Sequence, residues 1–123
     1  MKKIMIVDDD PDQTLTVKEV LEQFPDYKVI TINSGIDCIN YLKNNEFPNL
    51  ILMDIMMPKM TGWQTLEQIK EHPKWKKIPI IFLTARTDSV AKHAGNFLGD
   101  DYIEKPVSID VLKERIEKVL KKY

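Results

Sequence analysis

Five short apolar runs punctuate this chain, and four of them end on an acidic, hydroxylic or basic residue. Lys3 to Val7 runs into Asp8 and Asp9, Asn49 to Met53 into Asp54, Ile78 to Leu83 into Thr84, and Asp101 to Ile103 into Glu104, Lys105 and Pro106. The remaining run, Tyr27 to Ile32, ends without such a group. Between the runs, apolar residues recur at helical spacing. Val17, Val20, Leu21 and Phe24 form the first stripe, and Gly35, Cys38, Ile39 and Leu42 the second. Leu66 and Ile69 form a weaker third, Val90, Ala91, Ala94, Phe97 and Leu98 a fourth, and Ile109, Leu112, Ile116, Val119 and Leu120 a fifth. Alternating strand and helix patterns predict an α/β fold of the (βα)₅ kind, a parallel sheet with helices on both faces and right-handed crossovers. The nearly all-apolar runs suit strands buried on both faces. Lys28 and Thr31 in the second run, and the brevity of the fifth, suit edge strands. The carboxyl ends of parallel strands share one edge of the sheet, where ligands of open α/β sheets bind. Carboxylates, a hydroxyl and a lysine are therefore expected in one crevice.

Local signals set the helix ends. Asp10 can cap the first helix, Pro11 suits its first position, and Gln13 can reach back as in a capping box. Ser34 and Asp37 open the second helix, Ser108 opens the fifth, and Pro25 and Pro73 act as stops.

A chain of 123 residues is the size of one domain. The expectation is a single domain over 1–123, without an effector domain. Eighteen Lys and Arg against nineteen Asp and Glu give a net charge of −1, which argues against a general nucleic-acid surface. No apolar run approaches the ~20 residues of a membrane span, and the start does not read as a signal peptide. The single cysteine cannot build an internal disulfide. These features fit a cytoplasmic protein that contacts neither membrane nor nucleic acid directly.

If the first and third strands are neighbours, Asp8, Asp9 and Asp54 converge. Like charges that close are costly without a counter-charge. A hard divalent cation resolves the conflict, Mg²⁺ or alternatively Mn²⁺. Lys105 adds a positive charge. Such a nest suits transfer of a phosphoryl group to a carboxylate.

Four motifs in order carry a resemblance: Val-Asp-Asp-Asp at 7–10, Met-Asp-Ile-Met-Met-Pro at 53–58 with Gly62 beyond it, Leu-Thr-Ala at 83–85, and Asp-Tyr-Ile-Glu-Lys-Pro at 101–106. Together they resemble the receiver domain of two-component response regulators, over the whole chain. The resemblance implies a flavodoxin-like sheet of order 2-1-3-4-5 and a phosphoryl-accepting signalling switch that is not an enzyme in the usual sense. It implies that Asp54 is the phosphoacceptor, and that Asp9 is a direct metal ligand while Asp8 acts mainly through water. Asp54 and the backbone carbonyl of Met56 complete the metal site. Thr84 would bond the phosphoryl group, Lys105 would pair with it, and the Lys105–Pro106 peptide would be cis. Tyr102 would be the aromatic partner in the switch. The implied partners are a histidine kinase as phosphodonor and a protein target contacted through the fourth helix, fifth strand and fifth helix. A monomer is favoured, with phosphorylation-dependent dimerisation as the alternative. Met56 and Arg86 depart from the best-known chemotaxis receivers and flank the phosphoryl group.

Other readings fit less well. A haloacid-dehalogenase-type phosphatase would use Asp8 and Asp10, but Pro11 is out of place and Asp54 would be idle. A flavin carrier needs phosphate donors after the first strand, where this chain has acids. A degenerate docking module would not need all five key residue types. Cys38 reads as a small buried hydrophobe, His72 and His93 as surface residues, and Trp63 and Trp75 as cover for core edges. Lys113, Lys118, Lys121 and Lys122 read as a solvated face.

Overall fold

The computed structural model describes residues 1–84, 101–104 and 108–122. Five strands, β1 (Lys2–Val7), β2 (Tyr27–Ile32), β3 (Leu50–Met53), β4 (Ile80–Thr84) and β5 (Asp101–Glu104), form one sheet in the order β2-β1-β3-β4-β5. Every pairing is parallel. The helices α1 (Pro11–Leu21), α2 (Gly35–Asn44), α3 (Gly62–Glu71) and α4 (Ile109–Leu120) complete the described elements, α4 being the fifth helical segment of the sequence. The fold is flavodoxin-like, as expected, with β2 and β5 at the edges. The fourth helical segment, with His93, lies outside the described residues. No described helix is long and apolar enough to cross a membrane.

The sheet separates two cores, because successive strand residues point to opposite faces. Met5, Val7, Ile51, Met53, Ile80 and Phe82 pack with Cys38, Ile39 and Leu42 of α2 and with Leu66 and Ile69 of α3. Ile4, Ile6, Leu50, Leu52, Ile81 and Leu83 pack with Leu21 of α1 and with Leu112, Ile116 and Val119 of α4. Trp75 is buried in the first core and Trp63 lies against it, edge-on to Phe82 with centroids 4.6 Å apart. Both tryptophans thus cover core edges, as read.

The caps agree with the sequence at three helices and shift at one. Asp10 accepts the Asp12 N–H, Ser34 accepts the Asp37 N–H and Ser108 the Val111 N–H. The reciprocal capping box forms at α3, between Thr61 and Gln64, a site the sequence reading passed over while expecting one at Gln13. Two surface residues also make specific contacts. The Lys113 ammonium lies 4.3 Å from the centre of the Phe24 ring and 3.3 Å from Glu117, a cation–π contact and an ion pair on a partly exposed side chain. His72 is half-buried and stacks on Trp75 at 3.7 Å.

Cys38 is fully buried, with its sulfur 3.8 Å from that of Met5. Burial pushes its thiol from 9.0 up to about 12. Burial likewise raises the Tyr27 phenol, helped by the charges of Glu117 and Asp26. Between pH 9 and 12 the folded thiol keeps a proton that the unfolded one loses, so this contribution to stability is complete below pH 9 and lost as pH rises. We expect Cys38→Ala to flatten the alkaline fall in unfolding free energy by up to about 1.4 kcal/mol per pH unit. Urea melts of both proteins between pH 8 and pH 11 measure this; parallel curves would show a thiol that ionises freely.

Candidate functional site

The last rung on either side of β1 builds the site. The Asp8 N–H donates to the Ile32 carbonyl at 3.0 Å, and the Asp54 N–H donates to the Val7 carbonyl at 2.9 Å. The ladders therefore continue one residue beyond β1 and β3, and they bring the two acidic segments side by side. One carboxylate oxygen each from Asp8, Asp9 and Asp54 lies within 4.8 Å of the others. Asp8 is buried, Asp54 half-buried and Asp9 exposed, so the cluster opens from the sheet edge to solvent. Three negative charges at this spacing repel one another, and three hard oxygen donors are what a divalent cation selects. The cluster can hold such an ion.

The two loops that carry the acids are tightly held. In the first, Asp8 Oδ1 accepts the Asp10 N–H at 3.0 Å, and Asn33 Nδ2 donates to the Asp8 carbonyl at 3.0 Å. In the second, Ile55 and Met57 are buried and join the α2–α3 core. That alternation turns Met56 outward, at 49% exposure. The chain then turns at Lys59, whose φ is +65°, with the Met60 N–H on the Pro58 carbonyl at 2.7 Å. This is a γ-turn of the strained, positive-φ kind, in a conformation that disfavours a side chain. Gly62 closes the loop by donating its N–H to the Ile55 carbonyl at 2.8 Å.

Of the remaining expected site residues, Thr84 lies at the same edge, Tyr102 within the neighbouring strand, and the others outside the described region. Thr84 is the last residue of β4 and Tyr102 the second of β5. The register pairs Thr84 with Glu104 and Phe82 with Tyr102. Lys105, Pro106 and Arg86 lie outside the described residues. Sequence reasoning missed three features of the site: Thr14, Asn33 and the turn at Lys59. Thr14 had a signal, since it stands three and seven residues before Val17 and Leu21, on the buried stripe of α1. Asn33 and Lys59 gave none, because their roles depend on segments distant in sequence or on backbone geometry.

Gly62 limits what this loop tolerates. A Cβ there would run into the Asp54 carbonyl oxygen and the Ile55 Cα, backbone atoms that cannot rotate away. At Gly35 the obstacles are the side chains of Thr65 and Met60, which can move. We expect Gly62→Ala to cost about 1–3 kcal/mol, as measured by urea unfolding. A variant as stable as the wild type would contradict this account.

Comparison with known proteins agrees with this geometry. The family model of the response regulator receiver domain matches residues 4–117. Among curated relatives, a probable cyclic di-GMP phosphodiesterase of Vibrio cholerae is 39% identical over 115 residues, 92% of this chain and 25% of that protein. A CpxR-homologous transcriptional regulatory protein of Haemophilus influenzae is 36% identical, over 99% of this chain and 52% of that protein. The chain thus spans a quarter to about half the length of these relatives. Among solved structures, the signal receiver domain of a histidine kinase from Syntrophus aciditrophicus superposes with a TM-score of 0.89 at 29% identity, covering 99% of this chain and 92% of that one. The Mn²⁺-bound response regulator Rcp1 superposes with a TM-score of 0.81 at 28% identity, covering 97% and 91%.

Proposed function

Since the chain belongs to the family of response regulator receiver domains of two-component systems, we propose that it is a phosphorylation switch whose acceptor is Asp54. The convergence of Asp8, Asp9 and Asp54 within 4.8 Å at adjoining strand ends is the observation that supports this reading. In the proposed step an Asp54 carboxylate oxygen attacks the phosphorus of a phosphohistidine on a histidine kinase. The P–N bond breaks as the P–O bond forms, and the imidazole leaves with its electron pair. Asp54 is suited to this because its backbone is fixed by the Val7 carbonyl and by the buried Ile55 that follows it.

Asp8, Asp9, Asp54 and the Met56 carbonyl would hold the cation, Mg²⁺ in the first instance and Mn²⁺ as the alternative. When bound, it would offset negative charge on the phosphoryl oxygens. Rcp1, on the same fold, is a Mn²⁺-bound relative. Thr84 and Lys105 are the proposed partners of the transferred group, and Tyr102 the residue that couples it to the surface of the fourth helical segment, β5 and α4. The output is a protein contact made by that surface, with the domain monomeric and a phosphorylation-dependent dimer as the alternative. The expectation of no nucleic-acid contact goes no further than the charge of these residues, because relatives include proteins named as transcriptional regulators.

Intact mass after treatment with Mg²⁺ and acetyl phosphate tests the central step. We expect one added phosphoryl group in the wild type and none in Asp54→Asn. Equal labelling of both, or of neither, would overturn the assignment.

Met56 and Arg86 bear on how long the phosphoryl group lasts. Hydrolysis needs a water in line with phosphorus. An exposed, apolar Met56 crowds that approach and offers no strong bond to orient the water, and Arg86 adds bulk and charge. The phosphorylated wild type should therefore decay about tenfold more slowly than a Met56→Asn, Arg86→Glu variant, equivalent to ~1.4 kcal/mol in barrier. Decay of labelled protein in Mg²⁺ buffer measures it; equal or slower decay in the variant would refute it.

A further inference from the structure

We propose that Asn33 is a positioning residue for cation binding, acting through the peptide that joins Asp8 to Asp9. The inference rests on the metal-site reading of the acidic triad and deepens it. Asn33 follows the last residue of β2, and it belongs neither to the triad nor to the four motifs of the sequence. Its Nδ2 donates to the Asp8 carbonyl at 3.0 Å and to Thr14 Oγ1 at 3.3 Å. Thr14 is buried, at 3% exposure, and its hydroxyl donates in turn to the Pro11 carbonyl at 3.0 Å. One amide group thus ties the end of β2 to the acidic loop and to the first turn of α1.

The peptide geometry gives this tie its consequence. The Asp8 carbonyl belongs to the planar unit that also contains the Asp9 nitrogen and Cα. Holding that oxygen fixes the plane, and with it the position of the Asp9 N–Cα bond from which its side chain starts. Asp8 has a second restraint, the 3.0 Å bond from the Asp10 N–H to its Oδ1, and it is buried. Asp9 is exposed, so the orientation of its peptide matters more to where its carboxylate lies. Groups behind a ligand that set its orientation commonly affect metal affinity strongly.

Asn33 is exposed, so replacing it opens no cavity and should leave the fold intact. The test measures Mg²⁺ affinity by titration calorimetry for the wild type, Asn33→Ala, Asn33→Asp, Thr14→Val, Thr14→Ser and Asp9→Asn. Asn33→Ala should bind about tenfold more weakly. Thr14→Val should weaken binding in the same direction, and Thr14→Ser, which keeps the hydroxyl, should restore it. Asn33→Asp separates the donor from simple charge. An added carboxylate near the triad would tighten binding if charge alone mattered, whereas loss of the donor should weaken it. Labelling by acetyl phosphate should reach the wild-type rate in Asn33→Ala once Mg²⁺ is saturating, because the acceptor itself is untouched.

Unchanged affinity in Asn33→Ala, tighter binding in Asn33→Asp, or a labelling defect that saturating Mg²⁺ does not correct would each overturn the positioning role. If the wild type binds no Mg²⁺, or Asp9→Asn binds it as well as the wild type, the metal-site reading falls, and this inference with it. Loss in Asp9→Asn alongside wild-type affinity in Asn33→Ala would sink the inference alone.

Discussion

Two backbone hydrogen bonds, Asp8 to Ile32 and Asp54 to Val7, decide where the chemistry of this molecule can be. They extend the ladders of a central strand by one rung on each side. The register they continue is set by the cores. Met5 and Val7 face α2 and α3, while Ile4 and Ile6 face α1 and α4. Because the side-chain period of a strand is two, a slip of one residue would exchange these sets across the sheet. Residues of different shape fill the two cores, so such a slip would disturb both at once. The acidic residues inherit that precision. They meet because the hydrophobic residues before them leave β1 and β3 one register.

Among the described residues, local consistency is given up at this edge. Elsewhere propensity, capping and burial point the same way, as in the capping box of α3 and its buried Leu66 and Ile69. At the strand ends three like charges are gathered, and Lys59 takes a positive φ. Both are unfavourable taken alone. What holds them lies beside them: Ile55 and Met57 anchor the second loop in the core, and Gly62 provides room against the Asp54 carbonyl. Such departures from local preference, offset nearby, are expected at functional sites.

The sequence reveals the sheet because strands buried on both faces need continuous apolar runs, and runs such as Ile4 to Val7 and Leu50 to Met53 have no other easy use. It reveals the acids because they interrupt those runs at the ends. It does not reveal what holds the acids. Asn33 meets the Asp8 carbonyl across 25 residues, and a polar residue in a turn looks the same whether or not its amide is engaged. The turn at Lys59 is equally silent, since lysine gives no hint of positive φ where glycine or asparagine would. The box at Thr61 and Gln64 was readable from its spacing alone, yet the helix behind it shows only a weak stripe. The contact of Lys113 is hidden for a different reason: a lysine on an exposed helical face signals solvent, and only packing brings its ammonium over Phe24.

The sheet order also bears on which parts of the site can be fixed and which can respond. Asp8, Asp9 and Asp54 stand at the ends of β1 and β3, each of which has a paired neighbour on both sides. Displacing either strand end would strain two ladders. Tyr102 lies on β5, which among the described residues pairs only with β4, and its last rung joins Glu104 to Thr84. Movement there disturbs one ladder, so it costs less. A switch needs an immobile place to receive the phosphoryl group and an element nearby with two accessible arrangements. In the proposed switch, interior strands would meet the first need and the edge strand the second. The separation follows from strand order alone, before any particular contact with phosphate is considered.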